Sequence, residues 1–162
     1  MPLDRTWIAS RIPHKHRMCL LDGVVEWDEA RVVCRATSHR DPDNPLRAHG
    51  RLGVACGIEY AAQAMAVHGA LLTAEGAPPR IGYLTSVREV ALLASRLDDV
   101  VADLEIEALR HSGDGNTVLY RFSVRADGRE LLCGRAAVVL DTDRLARDLA
   151  GARHEAGTGH RR

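Results

Sequence analysis

Apolar and polar positions divide the chain into short strand-like runs on either side of one long apolar segment. Residues 4–11 (DRTWIASR) read as a short helix with Asp4 as N-cap, stopped by Pro13, which disfavours helix in the residue before it. Residues 20–28 (LLDGVVEWD) and 31–39 (RVVCRATSH) read as strands, the first broken at Gly23, joined in a hairpin around Asp28, Glu29 and Ala30. Residues 38–53 (SHRDPDNPLRAHGRLG) form a loop full of breakers. The stretch 54–74 (VACGIEYAAQAMAVHGALLTA) is the one convincing long helix, ended by Gly76, Pro78 and Pro79. It is apolar on almost every face, so other structure must wrap it. Four strand-like runs follow, 80–97, 100–112, 116–127 and 130–141, with Gly and Asp in the turns between them. Residues 143–150 read as a short amphipathic helix, and the small, polar tail 151–162 as disordered. The order predicts an α+β fold, a curved antiparallel sheet wrapped around one long buried helix, as a single domain over residues 1–142.

Composition narrows the function classes. At 162 residues the chain is the size of one domain. Twenty-two basic residues balance twenty-two acidic ones, which removes the electrostatic case for a nucleic-acid partner. Cys19, Cys34, Cys56 and Cys133 show no C-x-x-C pairing, so they read as small buried thiols in a reducing compartment. The N-terminus lacks a signal-like apolar run, and the long apolar stretch is interrupted by Glu59, Gln63 and His68. The expectation is a cytoplasmic protein with no membrane span.

Those interrupting residues are the informative ones, because an ionisable group in an apolar helix must repay its desolvation. Glu59 and Gln63 stand four apart, one turn above each other on one face. The helix dipole stabilises Glu59 while burial raises its pKa, and together these can leave it able to donate a proton. The alternative is a first-turn surface carboxylate beside a satisfied amide. His49, ten residues earlier between Arg47 and Gly50, is a candidate general base or an exposed loop histidine. His39, His14, His16 and His68 are rival histidines, His68 reading better as a packed or dimer-facing residue. His14 and His16 invite a metal reading, but no matching pair stands at ligand spacing, so no metal site is expected. The chain has no G-x-S-x-G, no G-x-G-x-x-G after a strand and no P-loop, which removes the main support for hydride transfer and nucleotide hydrolysis.

Three stretches carry a family resemblance. Residues 12–22 (IPHKHRMCLLD) look like the P-H-x-x-x-x-x-L-x-D opening of the 3-hydroxyacyl-[acyl-carrier-protein] dehydratases of the hotdog superfamily. Residues 57–64 (GIEYAAQA) resemble their central-helix motif, an acid four residues before a glutamine. Residues 82–88 (GYLTSVR) are similar to the following strand in the branch associated with aryl polyene and related polyketide-like pathways. Together they span roughly residues 6–140. The departure lies in the loop: the family histidine opens an H-F-P-G-x-P segment fourteen residues before the acid. Here His49 is four residues closer and both prolines are missing, although Asn44-Pro45-Leu46 resembles the residues just upstream of that histidine.

The resemblance implies a hotdog dimer, homodimeric or with a second hotdog subunit, with sites at the interface that pair a loop histidine with the partner's helix acid. The implied reaction is loss of water from a 3-hydroxyacyl thioester on acyl carrier protein to give a 2-enoyl thioester, in fatty acid or polyketide-like biosynthesis. It needs no cofactor, since the phosphopantetheine belongs to the carrier. On this reading His49 takes the C2 proton, Glu59 protonates the leaving hydroxyl, Gln63 orients Glu59, and Gly53 or a neighbouring amide holds the thioester oxyanion. Tyr60 and Met65 would line an acyl tunnel, and Arg47, Arg51, Arg80 and Arg88 would form a basic rim for the acidic carrier. One such helix is too little to enclose a tunnel alone, so the domain reads as half of an active unit. Two rivals stand beside this reading: a hotdog acyl-thioesterase, and a non-catalytic hotdog subunit supporting a catalytic partner.

Overall fold

The structure is a computed structural model describing residues 2–14, 16–73, 82–114 and 116–140. The predicted helix over 143–150, the tail and Arg80 lie outside these residues. Helix α1 (Arg5–Arg11) starts where the Asp4 side chain accepts from the Trp7 amide at 3.0 Å, and it ends at Ile12, before Pro13. Strands β1 (Gly23–Trp27) and β2 (Arg31–Ala36) form the expected hairpin, its turn held by Ala30 N–H donating to the Asp28 side chain at 2.7 Å. Helix α2 (Gly57–Leu72) follows a 3-10 turn at Val54–Cys56, so the first three residues of the predicted helix wind more tightly.

Four long strands complete the molecule: β3 (Tyr83–Leu92), β4 (Leu104–Gly113), β5 (Thr117–Ala126) and β6 (Arg129–Val139). All pairings are antiparallel, in the order β1-β2-β4-β5-β6-β3. Register shifts in β1, β3, β4 and β6 bend the strands, as an extra residue on one side of a ladder must. Period-two patterning decides the faces. Leu104, Ile106, Ala108, Val118, Tyr120, Phe122 and Val124 point to the core, while Glu105, Leu119, Arg121 and Arg125 point away. Helix α2 covers the core face, packing on β2, β4 and β5. One helix on a six-stranded antiparallel sheet is the hotdog arrangement implied by the resemblance.

Two details set the position of α2. Gly57 sits so close to the sheet that a Cβ there would lie 2.1 Å from Leu132 Cδ2, so any larger residue would have to push the Leu132 side chain aside. The segment before the helix is fastened from the far end of the chain. Strand β3 ends at Leu92, earlier than the predicted 97, because residues 93–98 leave the sheet to hold this segment. Val54 N–H donates to Ser95 O at 3.2 Å, Leu97 N–H to Leu52 O at 2.8 Å, and Leu52 N–H to the Asp98 carboxylate at 2.9 Å. The paired Arg96 guanidinium holds the Asp98 carboxyl well below the usual carboxylate range.

Candidate active site

The first turn of α2 presents Glu59, and the amide one turn later organises everything around it. Gln63 is fully buried. Its Oε1 accepts from Leu20 N–H at 2.9 Å, and its Nε2 donates to Met18 O at 2.6 Å and, at 3.4 Å, to Glu59 Oε1. A side-chain amide has two acceptor sites and two donors, so this one replaces a strand partner for the chain between α1 and β1. It thereby lays residues 12–14 and 16–20 across the head of the helix. The consequence is a contact absent from the sequence reading: His14 Nε2 lies 2.8 Å from Glu59 Oε1.

This contact reverses the direction of the pKa shift that burial alone would give Glu59. The His14 bond outweighs partial burial and, helped by Gln63, holds the carboxyl below its ordinary value. Facing a carboxylate, Nε2 of His14 donates its proton to Glu59 in a hydrogen bond. Its Nδ1 is buried and has no hydrogen-bond partner. Both side chains stay partly exposed, 27% for His14 and 33% for Glu59. The arrangement is an imidazole oriented by a carboxylate through Nε2.

The other expected residues fall elsewhere. His49 is at φ +53° and Gly50 at φ +72°, and Ala48 and Arg51 exchange both backbone hydrogen bonds, at 2.9 and 3.0 Å. His49-Gly50 is therefore the tip of a two-residue turn with both central residues left-handed, a job usually given to Asn-Gly. His49 is exposed, and the histidine that meets Glu59 within the protomer is His14. Gly53 precedes the 3-10 turn and its carbonyl accepts from Cys56 N–H at 3.0 Å. Tyr60 is fully buried, its hydroxyl 2.7 Å from Ser38 Oγ and accepting from Asn44 Nδ2 at 3.0 Å, so it is a strut between helix and loop and not a tunnel wall. Met65 is buried in the core of the protomer.

Of the arginines, Arg47 is spent inside the fold. It donates to His39 O at 3.1 Å and Gly50 O at 3.4 Å and lies 3.9 Å from Asp98, so it is a brace and not a rim cation. Arg51 and Arg88 are exposed, Arg51 beside the turn and Arg88 on the outward face of β3. The remaining internal histidines are structural. His39 donates Nε2–H to Val100 O and Ala102 O, both at 3.0 Å, and His68 joins Tyr120 Oη and Asp28 O, both at 2.9 Å. Burial lowers the pKa of each, keeping both neutral. Among the described residues no three His, Cys, Asp or Glu side chains converge as a metal site requires, and no helix is long and apolar enough to cross a membrane.

His14 stood only as one rival among four histidines, for a physical reason. It sits in the opening motif, but nothing in a one-dimensional reading joins it to Glu59, forty-five positions later. The available signal was Gln63: a buried amide needs backbone partners, and the nearest unpaired stretch is the one following Pro13.

The family model that matches is ApeP-like, described as ApeP dehydratase, over residues 6–147. Among curated proteins no relative matches. The solved dehydratase heterocomplex ApeI:P from Xenorhabdus doucetiae is similar at TM-score 0.77 and 23% identity, over 92% of this chain and 97% of that one. A thioesterase from Haemophilus influenzae gives TM-score 0.54 and 12% identity, over 72% and 76% of the two chains. The E. coli PaaI protein from the phenylacetic acid degradation operon gives TM-score 0.54 and 14% identity, over 72% and 80%. At these identities the solved structures speak for the fold alone.

Proposed function

The chain belongs to the ApeP-like dehydratase family, and from that premise we propose that it dehydrates a 3-hydroxyacyl thioester, carried on acyl carrier protein, to the 2-enoyl thioester. The observation that carries this reading is the 2.8 Å contact between His14 Nε2 and Glu59 Oε1 at the head of α2. The pair starts with one proton, on Nε2, and an ionised carboxylate. It accepts the C2 proton, made acidic by the thioester carbonyl, and returns a proton to the 3-hydroxyl as the C3–O bond breaks and the C2–C3 double bond forms. Water leaves and the pair is restored. Glu59 offsets the charge on the imidazolium between the two transfers, and Gln63 keeps both groups in register.

A second reading is favoured by a specific feature, the free outer edge of β3. Among the described residues this strand pairs with β6 alone, and Tyr83, Leu84, Val90 and Leu92 along it are exposed. An unpaired apolar edge of this length needs a cover. A second hotdog subunit would supply one, and the chain would then work as half of a two-subunit dehydratase; the solved structure it resembles is a dehydratase heterocomplex.

The test offers a 3-hydroxyacyl carrier thioester to the protein alone and to its mixture with a second hotdog subunit, following enoyl-thioester absorbance. Turnover by the chain alone, abolished by Glu59→Gln, supports the acid–base assignment. Turnover only in the mixture, and still abolished by Glu59→Gln, places the chemistry here within a heterodimer. A mixture indifferent to both Glu59→Gln and His14→Ala refutes the assignment and leaves this chain a supporting subunit. Release of free thiol without enoyl absorbance would make it a thioesterase.

A further inference from the structure

Across the sheet from the His14–Glu59 pair, the strand register builds a row of like charges. Arg135 on β6 is the direct partner of Arg121 on β5 on one side and of Arg88 on β3 on the other. All three are exposed on the face turned away from α2. Like charges placed directly opposite in a sheet repel, so such a row is costly unless something neutralises it. The neighbouring acids do so incompletely. Glu89 pairs with Arg135 at 3.1 Å, but Glu107 is taken by Arg31 at 2.5 Å and Glu130 lies nearest Arg125, at 3.9 Å. Among the described residues, Arg88 and Arg121 form no ion pair.

A cavity opens at the same residues. It measures about 260 Å³, and besides the three arginines it is lined by Ser86, His111, Leu119, Tyr120, Ala136 and Ala137. Leu119, Ala137 and Ser86 make up the next cross-strand row, and a register slip between Arg110 and Ser112 on β4 accompanies His111 at the rim. No carboxylate lines this cavity. Its volume is just below the range of roughly 300–1,000 Å³ typical of small-molecule sites.

We propose that this pocket on the outer sheet face binds a phosphate ester, its phosphate across Arg88, Arg135 and Arg121 and its apolar body on Leu119 and Ala137. Three guanidinium groups supply more donors and charge than one carboxylate can absorb, whereas a dianionic phosphate offers three acceptor oxygens to such a row. The apolar floor separates an ester from bare phosphate. The site lies on the opposite face from α2, so it does not overlap the acid–base pair, and it gives Arg88 a small anion in place of the carrier protein as its partner.

Calorimetry at low ionic strength with two probes, inorganic phosphate and hexyl phosphate, tests this. One hexyl phosphate per protomer is expected, bound at least tenfold more tightly than inorganic phosphate. Arg121→Gln should weaken both probes at least tenfold, and Leu119→Ser should narrow the gap between them while leaving inorganic phosphate unchanged. Both substitutions are on exposed positions, and a matching thermal melt of each variant establishes that it is folded. The proposal is overturned if neither probe binds at millimolar concentration, if Arg121→Gln binds both as wild type does, or if Arg121 affects capture of an acidic carrier protein but neither probe.

Discussion

Replacing His14 by alanine removes the strongest influence on Glu59 and leaves its burial in place. The carboxyl is then pushed upward by desolvation, with only the long Gln63 bond opposing it. A hydrogen bond to a charged group contributes about 1.5–3 kcal/mol. With both side chains roughly a third exposed, solvent screening reduces this to about 1 kcal/mol. The folded-state pKa of Glu59 lies below its unfolded value, so this stability is present above the unfolded pKa and is lost as pH falls through the folded one. The gap between wild type and His14→Ala in urea melts should therefore be widest near neutral pH and close below about pH 4. Turnover should fall by about a hundredfold or more, equivalent to about 2.7 kcal/mol of barrier. A domain with about 5–15 kcal/mol of stability stays folded through a loss of about 1, so unfolding cannot mimic the kinetic effect. The decisive assay follows the Glu59 carboxyl by NMR titration in both proteins, beside turnover. An unmoved Glu59 titration would break the coupling, and wild-type turnover would remove His14 from the chemistry. Because the two groups act as a unit, His14→Ala with Glu59→Gln should be scarcely slower than either alone.

Gln63→Leu should cost about 2 kcal/mol by denaturant melt, since it strands the Leu20 amide and the Met18 carbonyl, and turnover should drop with it as His14 loses its seat. His49→Asn should leave turnover unchanged and stability equal or slightly higher, because asparagine tolerates the left-handed turn position; a large loss of turnover would return this histidine to the mechanism. Gly57→Ala should destabilise by about 1–3 kcal/mol through the clash with Leu132, read as a lowered thermal midpoint. Tyr60→Phe should cost about 1–2 kcal/mol of stability by leaving Asn44 Nδ2 short of an acceptor; a change in chain-length preference with no loss of stability would instead make Tyr60 a tunnel residue.

The elements were legible in the chain wherever one local rule dominated. Asp4 and Pro13 bracket α1, and the Gly and Asp turns separate β4, β5 and β6, because caps and turns act over three or four residues. The ends of long runs were less legible. Residues 93–97 continue the apolar pattern of β3 but leave the sheet to brace Leu52 and Val54, a bond set that depends on Asp98 and on a segment some forty positions earlier. His49 drew attention as a flexible-loop histidine beside Gly50. Its His-Gly pairing was itself the turn signal, and a reading by turn type would have placed it at the tip.

The chain by itself determined the α+β class, the buried helix and the pair Glu59–Gln63, because periodicity and desolvation are properties of neighbouring residues. Only the tertiary structure decided what Glu59 does. The direction of its pKa shift is set first by the hydrogen bond from His14, and Gln63 holds the backbone at Met18 and Leu20 that carries His14 there. It likewise aligned Arg88, Arg135 and Arg121, three arginines on three strands, into one cationic row on a surface whose net charge sums to zero. Charge balance is additive along a sequence, whereas electrostatic work depends on distance, and distances between remote residues are set only when the sheet closes its register.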